Sequence, residues 1–173
     1  HWAQNSIEQL VISGAVGGYP DGTFKPNNAI TRAEFVTILA KAFKLENKDS
    51  KIFADSASHW AKDYIACAAA SGIVTGYDSD TFGPDDMITR EQMVVMISKV
   101  TRLPAVSEEI QFIDSDSISN WARSAIAAAS LHGIMRGYPD NSIKPQGNAT
   151  RAEAVTVIVN ALKKVIVVEK TAS

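Results

Sequence analysis

The chain has 173 residues, of which 46% are hydrophobic, and its formal net charge at pH 7 is −2. This composition is typical of a globular protein, and it excludes the basic surface of a nucleic-acid-binding protein. No apolar run approaches the roughly 18 residues that a membrane-spanning helix needs. The single cysteine, Cys67, excludes an internal disulfide, and we expect it to be a small buried side chain rather than a nucleophile.

One pattern occurs three times along the chain: an aromatic residue, a Gly-rich loop, and Thr-Arg at the start of a helix. Adding 58 to positions in the first copy gives the second, and adding 61 to the second gives the third. We divide the chain accordingly into unit 1 (residues 1–50), unit 2 (51–109) and unit 3 (110–173). Units of this size are small for independent folding, so we expect them to share a core as one cooperative domain.

Each unit is predicted to begin with a short amphipathic helix. In unit 2, Tyr64, Ile65 and Ala68 recur at helical spacing, and Gly72 follows as a residue that tolerates the positive φ of a helix end. A Gly-Tyr loop comes next, with the sequence GYPDGTFKP in unit 1 and GYPDNSIKP in unit 3. Because Pro-Asp-Gly and Pro-Asp-Asn favour tight reversals, we expect the chain to fold back here.

A second helix is predicted after the loop of each unit. Threonine provides the N-cap, and Glu or Gln three residues later completes a capping box. These pairs are Thr31 with Glu34, Thr89 with Gln92, and Thr150 with Glu153. The residues that follow are apolar over most of the helix circumference, which indicates an interior position. We therefore predict an all-α fold, in which three repeated helix-loop-helix units form a pseudo-threefold arrangement around a central three-helix bundle.

An arginine follows the N-cap of each second helix, at Arg32, Arg90 and Arg151. The helix macrodipole disfavours a cation there by roughly 0.3 to 1 kcal/mol. One interpretation is an anion receptor, in which the guanidinium and exposed helix N–H groups bind a carboxylate or phosphate together. The other is that each arginine pairs with an acidic neighbour such as Asp55 or Asp114. The sequence leaves both open, whereas capping alone accounts for the Glu and Gln residues.

The aromatic residues of the pattern have two possible roles. Trp2, Trp60 and Trp121 precede the first helices, and we expect them to be packing anchors, with a sugar platform as the alternative. The tyrosines of the loops, whose hydroxyls are able to reach a polar ligand, are Tyr19, Tyr77 and Tyr138.

These motifs resemble the surface-layer homology (SLH) domain, a family in which three motifs usually occur in tandem. The resemblance is carried by FxD at Phe53 to Asp55 and Phe112 to Asp114, by HW and NW ending at Trp60 and Trp121, by the GY loops, and by TRAE at 31–34 and 150–153. Unit 2 has TREQ at 89–92 instead, and unit 1 lacks an FxD. The resemblance covers essentially the whole chain.

The resemblance implies non-covalent anchoring of a secreted surface protein to the bacterial cell wall. The implied ligand is a secondary cell wall polysaccharide ending in pyruvylated N-acetylmannosamine, whose ketal carboxylate is the anion expected at the arginines. We expect no cofactor, metal, nucleic-acid partner or membrane span, and a monomeric isolated domain. The implied glycan-binding residues are Arg32, Arg90, Arg151, Asp55, Asp114, Trp2, Trp60, Trp121, Gly18, Gly76, Gly137, Tyr19, Tyr77, Tyr138, Lys25 and Lys144. Since Lys25 and Lys144 align with Gly83, we expect unequal grooves, one of which dominates binding.

Catalysis, calcium binding and lateral self-assembly are the alternatives to anchoring. Catalysis is disfavoured because the three histidines do not form a repeated set, although a hydrolase pair of carboxylates remains open. An EF-hand calcium loop beginning at Asp78 is a poor match, because Phe82 occupies position five and Thr89 occupies position twelve, where a bidentate Glu is required. Lateral self-assembly into a surface lattice, without glycan recognition, is the alternative function that the repeats allow.

Overall fold

The computed structural model describes residues 1–46, 51–106 and 111–171. In these residues each unit contributes two α-helices, and no β-strand is present beyond isolated bridges. The helices are α1 (Gln4–Ile12) and α2 (Arg32–Ala42) in unit 1, α3 (Lys62–Ala70) and α4 (Arg90–Thr101) in unit 2, and α5 (Arg123–Leu131) and α6 (Arg151–Thr171) in unit 3. The prediction of an all-α fold built from helix-loop-helix units is confirmed.

The first helix of each unit ends at a glycine in the left-handed region. Gly14, Gly72 and Gly133 have φ values of 72°, 70° and 65°. After Gly72 the chain turns back, and the N–H of Ile73 donates to the carbonyl of Ala68 at 2.9 Å. Only glycine adopts this conformation without a steric cost, so the predicted helix stop at Gly72 is confirmed.

The second helices begin with the predicted capping boxes. Thr31 accepts from the N–H of Glu34 while the Glu34 carboxylate accepts from the N–H of Thr31, and Thr89 and Gln92 make the same reciprocal pair. In unit 3 the Thr150 hydroxyl accepts from Glu153 N at 3.2 Å. Because Glu and Gln perform this capping equally, exchanging one for the other preserves the helix start.

In the core, the first helix of each unit packs against the second helix of another unit. The helix α1 of unit 1 packs on α6 of unit 3, α3 of unit 2 packs on α2 of unit 1, and α5 of unit 3 packs on α4 of unit 2. The helix α6 also contacts both α2 and α4. The largest fully buried side chains come from all three units and include Phe35, Leu39, Phe82, Met93, Ile97 and Ile126. Each unit therefore completes the core of another.

A closed ring of backbone hydrogen bonds joins the starts of the second helices. Ile30 N donates to Ala149 O at 3.0 Å, Ala149 N to Ile88 O at 2.9 Å, and Ile88 N to Ile30 O at 3.0 Å. These three residues occupy equivalent positions in the three units. The ring is the cyclic pattern that a pseudo-threefold arrangement requires, and it exists only when all three units are folded together.

The exposed tryptophans allow the three units to be followed separately during unfolding. The exposed fractions of Trp2, Trp60 and Trp121 are 66%, 63% and 58%. Variants that keep one tryptophan, with Phe at the other two positions, should unfold in urea at a single midpoint because the units share a core. Phe82→Ala should lower the free energy of unfolding by about 3 to 5 kcal/mol in all three variants. A loss confined to the Trp60 reporter would contradict one cooperative domain.

Candidate binding grooves between the units

The first N–H groups of each second helix are hydrogen-bonded to the loop of the next unit. In α2, Arg32 N donates to Asp86 O at 2.8 Å and Ala33 N to Pro84 O at 2.9 Å. The corresponding acceptors are Gly147 and Pro145 for α4, and Asn28 and Pro26 for α6. The expectation that exposed helix N–H groups bind an anion is therefore wrong, because loop carbonyls already occupy them.

Each repeated arginine also reaches into the loop of the next unit. The Nε atoms of Arg32, Arg90 and Arg151 donate to loop carbonyls at 2.9, 2.7 and 3.0 Å, and these side chains are almost completely buried. The acceptors are the carbonyls of Phe82, Ile143 and Phe24. The arginines thus join neighbouring units, in addition to any role in binding.

The guanidinium of each arginine lies against the tyrosine of the same loop. The distances from the guanidinium carbon to the ring centroid are 4.7 Å for Arg32 and Tyr77 and 4.5 Å for Arg90 and Tyr138. The third pair, Arg151 and Tyr19, has a distance of 4.8 Å. A cation at this distance from an aromatic face is stabilised by the ring quadrupole, which offsets part of the cost of burying the charge.

The arginines differ in their acidic partners. Arg90 Nη1 donates to Glu153 Oε1 at 2.6 Å, and Arg151 Nη1 donates to Glu34 Oε1 at 3.1 Å. Both acids come from the capping boxes, so they cap a helix and neutralise an arginine of the preceding unit at once. The sequence pattern predicts capping alone for these glutamates, and the ion pairs were not predicted. At Arg32 the equivalent residue is Gln92, and no ion pair of Arg32 is present in the described part of the chain.

The aspartates of the FxD motifs hold the loops instead of pairing with the arginines. The Asp55 carboxylate accepts from Phe82 N at 3.0 Å and from Gly83 N at 2.7 Å. Asp114 accepts from Ile143 N and Lys144 N, both at 2.8 Å. The alternative that Asp55 and Asp114 form salt bridges with the arginines is therefore wrong. Contact between these aspartates and a glycan stays a prediction.

The loop glycines are required by close packing within each unit. A Cβ atom on Gly76 would lie 2.4 Å from Thr81 O and 2.6 Å from a ring carbon of Phe53. A Cβ atom on Gly18 would lie 2.9 Å from Thr23 O, and one on Gly137 would lie 2.6 Å from a ring carbon of Phe112. These contacts account for glycine without a ligand, and backbone contact with a sugar stays a prediction.

The two loop lysines lie against the same tyrosines as the arginines. Lys25 Nζ is 4.3 Å from the centroid of Tyr19, and Lys144 Nζ is 4.4 Å from that of Tyr138. Both lysines have positive φ, at 53° and 48°, where unit 2 has Gly83. Two cations therefore contact the ring in units 1 and 3. The loop of unit 2 supplies no second cation to Tyr77.

The tryptophans are exposed, so the expectation that they are packing anchors is wrong. Their indoles precede the first helices at the surface, and two of them line cavities next to a repeated arginine. Trp121 of unit 3 and Trp2 of unit 1 are those two. No feature of the sequence indicates this exposure, because the Trp positions fit a buried and a surface role equally.

We name the first cavity groove A. It has a volume of about 330 Å³ and is lined by Arg32 of unit 1, by Tyr77, Gln92 and Lys99 of unit 2, and by Trp121 of unit 3. Burial lowers the pKa of Arg32, but arginine keeps its charge at neutral pH because its ordinary pKa is above about 12. Burial also raises the pKa of Tyr77, which stays neutral and donates to Asp86. Two cations, Arg32 and Lys99, line groove A, and Asp86 and Asp55 lie near enough to Arg32 to favour its charge.

We name the second cavity groove B. It has a volume of about 800 Å³, and its lining includes Arg90, Tyr138, Glu153 and Trp2. Burial and the hydrogen bond to Glu153 raise the pKa of Tyr138 to about 12, so its hydroxyl is a donor. Tyr138 and Arg90 both donate to Glu153 Oε1 at 2.6 Å. The buried charge of Arg90 is therefore neutralised by the protein itself.

In residues 1–46, 51–106 and 111–171, no group of three or more His, Cys, Asp or Glu side chains lies close enough together to hold a metal ion. None of the helices there combines the length and the apolar character needed to cross a membrane. Cys67 is buried, and burial raises the pKa of its thiol, which opposes the thiolate form that a nucleophile needs. The prediction of a buried Cys67 is confirmed.

The S-layer homology domain family matches the chain at residues 1–36, 52–94 and 111–155, once in each unit, and the chain belongs to this family. Similar proteins include an amylopullulanase of Thermoanaerobacterium thermosulfurigenes, 36% identical over 95% of this chain and 9% of that protein. A cellulosome-anchoring protein of Acetivibrio thermocellus is 35% identical over 91% of this chain and 39% of its own length. The S-layer protein EA1 of Bacillus anthracis is 30% identical over 95% of this chain and 19% of its length.

The chain thus spans well under half the length of these relatives. The family and its surface-protein members locate the domain outside the cell, at the bacterial cell wall. An S-layer homology domain is an anchoring module rather than a catalytic one, although some of the relatives are named as enzymes.

The role of Asp114 in holding the loop is testable by substitution. Asp114→Ala should lower the free energy of unfolding by about 1.5 to 3 kcal/mol, because two loop N–H groups lose a charged acceptor. Asp116→Ala is the control, since this exposed carboxylate makes no hydrogen bond among the described residues. Its effect should be within about 0.5 kcal/mol. Urea denaturation measures both, and equal losses would contradict the assignment.

Proposed function

We propose that this domain anchors a surface protein to the bacterial cell wall by binding the acidic end of a secondary cell wall polysaccharide in groove A. The observation that carries the proposal is Arg32, a buried guanidinium that faces Gln92 where the other two arginines face a glutamate. Support for anchoring also comes from the family and from the relative that is named a cellulosome-anchoring protein.

The protein's own ion pairs indicate how an acidic ligand would bind. In the other two units, a carboxylate of the capping box accepts from Nη1 of the arginine. Arg32 uses Nε and Nη2 for the carbonyls of Phe82 and Thr75, and no described residue accepts from its Nη1. A ligand carboxylate beside Gln92 would accept from this Nη1, as Glu153 does from Nη1 of Arg90. Charge-assisted hydrogen bonds of this kind are about twice as strong as neutral ones.

The other residues of groove A suit a small acidic sugar. Lys99 adds a second positive charge, and the amide of Gln92 supplies N–H donors without a negative charge. The exposed indole of Trp121 offers an aromatic face to the C–H groups of a pyranose ring. Pyruvylated N-acetylmannosamine combines the two required features, a carboxylate and an uncharged ring, so it is the ligand that we propose.

The charge at position 92 tests the proposal. Gln92→Glu preserves the capping box, as Glu34 and Glu153 do, but it gives Arg32 an internal partner and repels an acidic ligand. Its affinity for a synthetic pyruvylated N-acetylmannosamine glycoside should fall at least about tenfold, which corresponds to 1.4 kcal/mol. Isothermal titration calorimetry measures the change. Gln9→Glu is the control, because it adds the same charge on the exposed side of α1 and should leave affinity unchanged.

A second test removes the carboxylate of the ligand instead of changing the protein. The non-pyruvylated glycoside should bind groove A at least about tenfold more weakly than its pyruvylated twin, because it cannot form the charge-assisted bonds to Arg32. Competition against the labelled pyruvylated sugar measures this difference. Equal affinities for the twins, or unchanged binding in Gln92→Glu, would contradict the proposed function.

A further inference from the structure

We propose that Glu91 is a positioning residue for groove A, because its carboxylate holds the segment of unit 3 that carries Trp121. Glu91 belongs to unit 2 and Trp121 to unit 3, so a contact between units fixes the aromatic wall of the groove. The consequence for ligand binding rests on the proposed function. The placement of Trp121 by Glu91 does not, and it is testable without a ligand.

Glu91 is a buried carboxylate at a position where the other two units have alanine. It is the second residue of α4, its exposed fraction is 4%, and the equivalent residues of α2 and α6 are Ala33 and Ala152. The helix macrodipole favours an acid in the first turn, but it does not require that the acid be buried. Burying a charge is costly unless hydrogen bonds compensate, so the role of Glu91 lies in the contacts of its carboxylate.

Both oxygens of the Glu91 carboxylate accept from one residue of unit 3. Oε2 accepts from Ser119 N at 3.0 Å, and Oε1 accepts from Ser119 Oγ at 2.9 Å. The backbone N–H of Glu91 donates to Pro145 O at 2.9 Å, in the loop of the same unit. No salt bridge of Glu91 is present in the part of the chain that the structure describes. The carboxylate therefore connects α4 specifically to Ser119.

Ser119 in turn fixes the short turn that contains Trp121. It lies immediately before the 3-10 helix Asn120–Ala122, which packs against α4. The Ser119 carbonyl accepts from Ala122 N at 2.9 Å, so a hydrogen-bonded turn encloses Trp121. Glu91 thus holds the start of the turn from which the indole of Trp121 reaches groove A.

The other two units hold their tryptophan segments with a histidine, at the position where unit 3 has Asn120. His59 Nδ1 accepts from Ala61 N at 3.1 Å, and its Nε2 lies 3.2 Å from Asp85 Oδ1. His1 makes the corresponding contacts in unit 1. These contacts stay within one unit. In unit 3 the carboxylate of α4 supplies the missing hold from outside the unit.

The charge of Glu91 and its hydrogen bonds predict opposite effects on an acidic ligand. Gln92, the next residue of α4, lines groove A together with Trp121. Removing a negative charge beside Gln92 would by itself strengthen the attraction for an acid. Releasing Ser119 would weaken binding, because Trp121 would lose its fixed place in the groove. The direction of the change therefore distinguishes positioning from a nearby charge.

The ligand-free test measures the hold on Trp121 by NMR. Glu91→Ala gives α4 the residue that α2 and α6 already have. In this variant the Ser119 amide proton should exchange with solvent at least about tenfold faster, because it loses a charged acceptor. The nitrogen-proton nuclear Overhauser effect of the Trp121 indole should fall as the ring gains motion, while Trp2 and Trp60 keep theirs. Glu91→Gln should restore both readouts, because its amide oxygen accepts from Ser119 N and its amide nitrogen donates to Ser119 Oγ.

Calorimetry with the pyruvylated N-acetylmannosamine glycoside tests the consequence for binding. Glu91→Ala should weaken binding about two- to tenfold, the range expected for a misplaced aromatic contact. In a Trp121→Ala background the same substitution should cause no further weakening, because Glu91 acts only through Trp121. Glu91→Gln should retain most of the affinity.

Two serine variants form a matched pair of controls. Ser119→Ala and Ser117→Ala each remove a hydroxyl from the same loop, but only the Ser119 hydroxyl donates to Glu91. Ser119→Ala should lower the nuclear Overhauser effect of the Trp121 indole, and Ser117→Ala should leave it unchanged. This pair also decides the question if Glu91→Ala does not fold.

Unchanged Ser119 exchange together with an unchanged Trp121 indole in Glu91→Ala would overturn the proposal. Equal or tighter binding of the glycoside by that variant would overturn it too, since positioning requires a loss. If the unchanged protein does not bind the glycoside, the proposed function fails. The ligand-free measurements then still decide whether Glu91 fixes Trp121.

Discussion

The structure depends on one contact made three times, in which an arginine at the start of a second helix enters the loop of the next unit. The backbone N–H of Arg32 donates to Asp86 O, its Nε donates to Phe82 O, and its guanidinium lies on Tyr77. The other two arginines repeat the contact around the ring. A cation at a helix N-terminus costs about 0.3 to 1 kcal/mol, and the loop carbonyls and the ring offset that cost. The same kind of side chain therefore joins the units and lines grooves A and B.

The capping-box residue decides whether the arginine of the preceding unit has an ion-pair partner. Glu153 and Gln92 both accept a hydrogen bond from the N–H of their N-cap threonine, so helix capping tolerates either residue. Only the glutamate adds a negative charge beside the arginine of the preceding unit. Changing a carboxylate oxygen to an amide nitrogen leaves the helix cap intact and removes the ion pair of the neighbouring arginine.

The sequence predicted what is local and missed what crosses between units. Capping boxes and the stop at Gly72 follow from spacings within one segment, and the structure confirms them. The pair of Arg151 and Glu34 joins residues 117 positions apart, which no local pattern reveals. The FxD aspartates were misassigned for the same reason, since their partners are loop N–H groups nearly thirty residues away. The TREQ departure was visible, but its meaning required knowing that position 92 faces Arg32.

The burial of Arg32 would also couple ligand binding in groove A to folding. Arg32 is as buried as Arg90 and Arg151, yet it has no ion pair within the described residues. Arg32 of unit 1 is held instead by the carbonyls of Phe82 and Thr75 and by the Tyr77 ring, and Asp86 and Asp55 favour its charge. A ligand that accepts from Arg32 in groove A would bind the folded state only, because the groove needs residues from all three units. Such binding would stabilise the three units together by mass action.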